Sequence, residues 1–170
     1  MELWDLYDNH RELLNKTGVR GERLLAGENH MVVEVWTIHE KQRILLTKRH
    51  PKKNFGNLWE CTGGAAIAGE DSITAIVREL REETGLIAKE SELTLIGTDF
   101  SKEQHCFMDT YIYHTNKPIT ELSWQETEVI DGKYVTLQEL EEMHENGEIA
   151  PPVWCRFERY RELLRKEIEG

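Results

Sequence analysis

GAAIAGEDSITAIVRELREETGL, from Gly64 to Leu86, is the stretch from which the rest of the chain is read. Ile73, Ile76, Val77 and Leu80 fall at the i, i+3, i+4, i+7 spacing of a buried stripe, which predicts one amphipathic helix from Asp71 or Ser72 to Thr84. Asp71 and Ser72 are both good N-caps, and an acid at that end also meets the positive end of the helix dipole. Gly85 supplies the left-handed residue that stops the helix. Glu79 lies one turn before Glu82 and Glu83, so the three carboxylates are neighbours on the helix surface.

Like charges at that spacing destabilise a helix by about 0.2–0.5 kcal/mol per pair. Arg78 can relieve part of this through a forked contact to a carboxylate. A hard divalent cation relieves the rest, because Mg²⁺ takes oxygen ligands from carboxylates and fills its other positions with water and phosphate. The Gly63-Gly64 pair ahead of the helix is backbone that can approach a ligand closely. In a chain with 32 Asp and Glu, an acidic helix face is ordinarily just solvated. The full set of fixed positions sets this one apart: glycine, acid, Arg-Glu, paired acids and a closing glycine.

Gly64…Glu70…Arg78-Glu79-Leu80…Glu82-Glu83…Gly85-Leu86 resembles the signature box of the Nudix hydrolases at every defining position. The resemblance implies an α/β fold, an α/β/α sandwich with a mixed central sheet, and Mg²⁺- or Mn²⁺-dependent cleavage of a diphosphate linked to another moiety. Trp59 to Gly64 is similar to the family's lead-in, although Thr62 stands where many members have proline and Ile67 where many have a further acid. A fainter outline is similar to the isopentenyl-diphosphate isomerase branch: Trp4-Asp5 and Tyr7-Asp8, then His30, then Asn57-Leu58-Trp59. Those isomerases use a cysteine whose place here falls at Gly63 or Gly64, and they degrade the acidic box that this chain keeps. Isomerase chemistry is the runner-up, and a non-catalytic binding module a third reading.

The resemblance assigns the metal to Glu79, Glu82 and Glu83, with the Gly64 carbonyl and Glu70 as further ligands. Arg78 would orient a carboxylate. The general base comes from the box acids or from a later loop, where Glu126 and Glu128 are the candidates against a plain reading as solvent-exposed acids. Lys48 to Lys53 is the basic run, and Arg49 or Lys48 could grip a substrate phosphate. Strand alternation puts them on opposite faces, so only one points inward. Trp59 reads either as a stacking platform or as packing, and Cys61 as a small buried strand residue rather than a nucleophile. The histidines show no ligand spacing.

A length of 170 residues suits one domain, 1–170, with an N-terminal hairpin and connector over 1–29 and a C-terminal helix over 153–169. The net charge of −11 argues against a nucleic-acid surface, yet an acidic protein can bind a small phosphorylated substrate where a metal supplies local positive charge. Cys61, Cys106 and Cys155 form no paired framework and read as reduced thiols, which predicts a cytoplasmic protein. No apolar run reaches membrane-spanning length, and dimers are common in the family that the box resembles. Alternation predicts a hairpin from Leu3–Tyr7 and Glu12–Thr17, then strands over 31–38, 43–49, 93–100, 106–115 and 129–135. Thr136 and Glu139 form a capping box for a short helix to about Glu145, and Pro151-Pro152 is read as a break before the last helix.

Overall fold

A computed structural model describes residues 1–170. The elements run β1 (Leu3–Tyr7), β2 (Leu13–Val19), β3 (His30–His39), β4 (Arg43–Arg49), β5 (Trp59–Glu60), β6 (Thr62–Ala65), α1 (Ser72–Thr84), β7 (Leu93–Ser101), β8 (Cys106–Thr115), β9 (Val129–Val135), α2 (Leu137–Glu145) and α3 (Pro151–Glu169). β1 and β2 pair as the expected hairpin, and β2 runs on to Val19 into the stretch read as connector. The other seven strands form one mixed sheet, with β3 and β8 parallel over their whole length and the remaining pairs antiparallel.

The sheet forks where it matters. β3 and β4 pair only at Ile38–Ile44 and His39–Arg43, then part. Into the gap runs the chain from Trp59 to Ala65: β5 pairs with β4, and β6 crosses to pair with β3, setting Gly63 opposite Glu34 and Gly64 opposite Val33. The fork delivers the two glycines to the start of the segment leading into α1.

Alternation along β3 and β4 builds the two cores. Met31, Val33, Val35 and Leu45 face α1, where they pack with Ala75, Ile76 and Leu80. Trp36, Ile38, Ile44 and Leu46 face the other way and pack against Leu140, Val153, Phe157 and Leu164 of α2 and α3. The result is the expected α/β/α sandwich.

The helix ends follow their chemistry. Asp71, not Ser72, caps α1, accepting the Thr74 N–H at 2.9 Å, and Gly85 closes it at φ 73°. Ser72 instead hydrogen-bonds the Tyr111 hydroxyl at 2.7 Å, pinning the helix start to β8. The Thr136/Glu139 box is formed. One boundary is corrected: Pro151 and Pro152 open α3 rather than precede it. The first turn of a helix has no use for their missing N–H, and their fixed φ suits it.

Candidate active site

Arg78 organises the acidic face of α1. Its Nε and Nη2 fork onto the two oxygens of Glu70 at 2.7 and 3.0 Å, and Nη1 reaches Glu79 at 2.8 Å and Glu82 at 3.1 Å. Nη2 also donates to the Ala65 carbonyl at 3.1 Å, tying α1 to the end of β6. Glu70 has both oxygens engaged, the second also taking the Ile67 N–H at 3.0 Å. Burial alone would raise its pKa, but Arg78 and that N–H outweigh burial and hold it low. Expected among the metal ligands, Glu70 is placed as the clamp on Arg78.

Glu83 is the unusual member. It is 2 % exposed, and its Oε2 has no hydrogen-bond partner. Burial drives its pKa well above the ordinary carboxylate range, and the charges of Glu60 and Glu79 push the same way. Glu79 is also raised by burial, with Arg78 opposing. Its carboxylate lies against the backbone of Gly64: a Cβ there would sit 2.4 Å from Glu79 Oε1. Only glycine leaves that space.

A cavity of about 110 Å³ gathers Gly64, Arg78, Glu79, Glu82, Glu83 and Glu128. Glu128 reaches it from the loop before β9 and pairs with Lys53 at 2.5 Å. Glu126, the other loop candidate, is exposed and lies outside the cavity. Alternation along β4 resolves the basic run. Arg49 turns inward, held by the Asn54 carbonyl at 2.7 Å and by an ion pair with buried Glu60, whereas Lys48 lies over the Trp59 ring at 5.7 Å from its centroid. Trp59 is 6 % exposed and packs in the core, with no face open to a ligand. Cys61 is buried beside Glu34, and burial pushes its thiol well up.

Five charged residues that the sequence reading did not select also line this region, Arg20, Glu34, Lys53, Glu60 and Arg156. Lys53 lines the acidic cavity and a neighbouring one of about 210 Å³, and so does Arg20 from the N-terminal hairpin. Glu60 and Arg156 line the second. For two there was a signal: Glu34 interrupts the apolar run of β3, and Arg156 sits on the α3 stripe that carries Val153, Phe157 and Tyr160. An acid and a base on facing buried stripes predict a pair, and Arg156 Nε meets Glu34 at 2.6 Å.

The donor set suits a hard cation, since all of it is oxygen, Glu83 carries a buried oxygen with no partner, and Glu79 is seated against glycine backbone. As placed, no three acid, histidine or cysteine side chains converge into a ready cation site, because Arg78 draws Glu70, Glu79 and Glu82 to itself. Glu82 is half-open and meets Arg78 through one oxygen only.

A mixed sheet between helices, with an Arg-clamped run of glutamates beside a Gly-Gly edge, makes an α/β sandwich with a carboxylate-lined cavity at the fork of its sheet. The NUDIX domain family model matches residues 28–157. An uncharacterized Nudix hydrolase of Listeria monocytogenes is 36% identical over 156 residues, covering 89% of each chain. Among solved structures, DR0079 from Deinococcus radiodurans superposes with a TM-score of 0.73 at 23% identity, covering 97% of this chain and 98% of that one. The NUDIX domain of Shewanella oneidensis NrtR, solved with ADP ribose, gives 0.65 at 18% identity, over 88% and 94%. The chain belongs to the Nudix hydrolase family. No helix is long and apolar enough to cross a membrane.

Proposed function

We propose that this protein is a divalent-metal-dependent hydrolase that cleaves the diphosphate linkage of a nucleoside diphosphate joined to another moiety, or of a related organic diphosphate. The observation that carries the reading is Glu83: its buried oxygen has no partner and burial disfavours its charge, and a bound cation is the group that would both satisfy and ionise it. Glu79, Glu82 and Glu83, with the Gly64 carbonyl, would hold Mg²⁺ or Mn²⁺. When bound, such an ion neutralises charge on phosphate oxygens and lowers the pKa of a water molecule.

The chain's own residues do the rest. The Glu70–Arg78 fork fixes the guanidinium that holds Glu79, beside Gly64, and Glu82. Glu128, in the same cavity, is the loop residue that would take a proton from an attacking water, and Lys53, paired with it at 2.5 Å, would orient it. Arg49 faces the neighbouring cavity as a phosphate-binding residue, a role Lys48 is turned away from. Isomerase chemistry would call for a reactive thiol at the site; Cys61 is buried with its pKa pushed well up, which supports hydrolysis. Three free cysteines support a reducing, cytoplasmic setting.

The test is phosphate release from a library of diphosphates with Mg²⁺ or Mn²⁺. Turnover of at least one compound is expected, abolished by chelator and nearly abolished in Glu83→Gln. Wild-type turnover in that variant would defeat the reading.

A further inference from the structure

The two cavities adjoin and differ in their balance of charge. Gly63, Gly64, Arg20 and Lys53 border both. The first gathers the box carboxylates. The second is lined by four cations, Arg20, Arg49, Lys53 and Arg156, against two carboxylates, Glu34 and Glu60, in a chain whose net charge is −11. Each of these cations carries one carboxylate partner, Glu2 on Arg20, Glu60 on Arg49, Glu128 on Lys53 and Glu34 on Arg156.

The guanidiniums are held by one side and left open on the other. Arg156 comes from α3, with its side chain 21% exposed. Its Nε is fixed by Glu34, which is itself fixed by the Thr110 hydroxyl at 3.0 Å, and the hydrogen bond through Nε leaves Nη1 and Nη2 to other partners. Arg49 is anchored through Nε and Nη1, leaving Nη2. Arg20 uses only Nη1, on Glu2. A guanidinium pinned at one edge with its other N–H groups facing a cavity is preorganised for a forked contact to an oxyanion. No aromatic ring lines either cavity, so charge and hydrogen bonds, not stacking, hold what enters.

We propose that Arg156, with Arg49 and Arg20, forms an anion subsite in the cavity that adjoins the box carboxylates at Gly63-Gly64, which takes a phosphate group of the substrate independently of any metal. Naming that phosphate as part of the substrate rests on the hydrolase reading; the subsite itself does not. Arg156 then selects substrates by a negatively charged group beyond the position where the box acids work, and the N-terminal hairpin closes the subsite by contributing Arg20.

Calorimetry on the full chain tests this with inorganic phosphate and pyrophosphate as probes, chelator present throughout. The wild type binds both. Arg156→Lys keeps the charge opposite Glu34 but loses the fork, and weakens binding about tenfold, as expected for one charge-assisted contact. Arg20→Ala, at an exposed side chain whose removal leaves the fold intact, weakens it several-fold. Glu83→Gln does not weaken it. Failure of the wild type to bind without metal, or wild-type affinity in either folded arginine variant, overturns the subsite. Should Arg156→Lys not fold, Arg20→Ala decides. The hydrolase reading fails on a different result, turnover retained by Glu83→Gln.

Discussion

Gly64→Ala separates the site from the fold. The new Cβ would lie 2.4 Å from Glu79 Oε1, 2.5 Å from its Cδ and 2.8 Å from Oε2, where ordinary contacts begin near 3.4 Å. The carboxylate must therefore retreat by about 1 Å, and misplacement of that size around a reacting centre costs on the order of 10²-fold in rate. The fold has little reason to object. Gly64 has no positive φ, and the atoms in the way are the end of a flexible side chain, so stability should change by no more than about 1 kcal/mol. The neighbouring position gives the contrast. A Cβ on Gly63 would meet the Val33 carbonyl at 2.4 Å and the Glu34 Cα at 3.0 Å, which is backbone, and overpacking there should cost about 3 kcal/mol. The assay is phosphate release on the best library substrate beside thermal unfolding. Gly64→Ala should melt near the wild type and lose kcat; Gly63→Ala should lose melting temperature. Gly64→Ala with kcat within twofold of wild type would refute the role given to Glu79.

Further outcomes follow from the same geometry. Mg²⁺ or Mn²⁺ at a hundred times its dissociation constant should stabilise the wild type by about 2.7 kcal/mol, a rise in Tm that Glu83→Gln abolishes in differential scanning calorimetry. Arg49→Ala should raise KM, whereas Lys48→Ala, which removes a side chain lying on Trp59, should leave KM within twofold. Arg11→Ala, stripping a contact at 2.5 Å from Asp109 (1% exposed), should cost about 2 kcal/mol by urea unfolding, less than a fully buried pair because Arg11 is about one-third open. Burial alone would raise Asp109, but donors on Arg11, Ser72 and Thr98 outweigh it and hold its pKa low. Its stabilisation is therefore present above the ordinary aspartate pKa and lost as pH falls through the lowered one, so acid unfolding below about pH 4 should be shallower in Asp109→Asn.

What could be read in the chain was local. The α1 helix, its Asp71 and Gly85 caps and the shared face of Glu79 and Glu82 follow from a 3.6-residue period and the chemistry of two end residues, none of which needs a distant partner. Strand alternation likewise separated Arg49 from Lys48. The forked sheet was out of reach, because the parting of β3 from β4 and the insertion of β5 and β6 are pairings between segments tens of residues apart. For the same reason Arg20 and Arg156, far apart in sequence, gave no sign of meeting in one cavity. The sequence offered both Arg78 and a cation as partners for these carboxylates, and it could not apportion them: Arg78 takes Glu70, Glu79 and Glu82 but not Glu83. Pro151-Pro152 misled because proline stops a helix only from within; at the first turn it starts one.

Anomalous diffraction from crystals grown in Mn²⁺ puts the central claim to its plainest trial. The account requires a manganese peak between Glu83 Oε2 and Glu79, within coordinating distance of the Gly64 carbonyl, with Glu82 drawn toward it and Glu70 still on Arg78. A map with no peak there at saturating Mn²⁺, and Glu83 still without a partner, would contradict it.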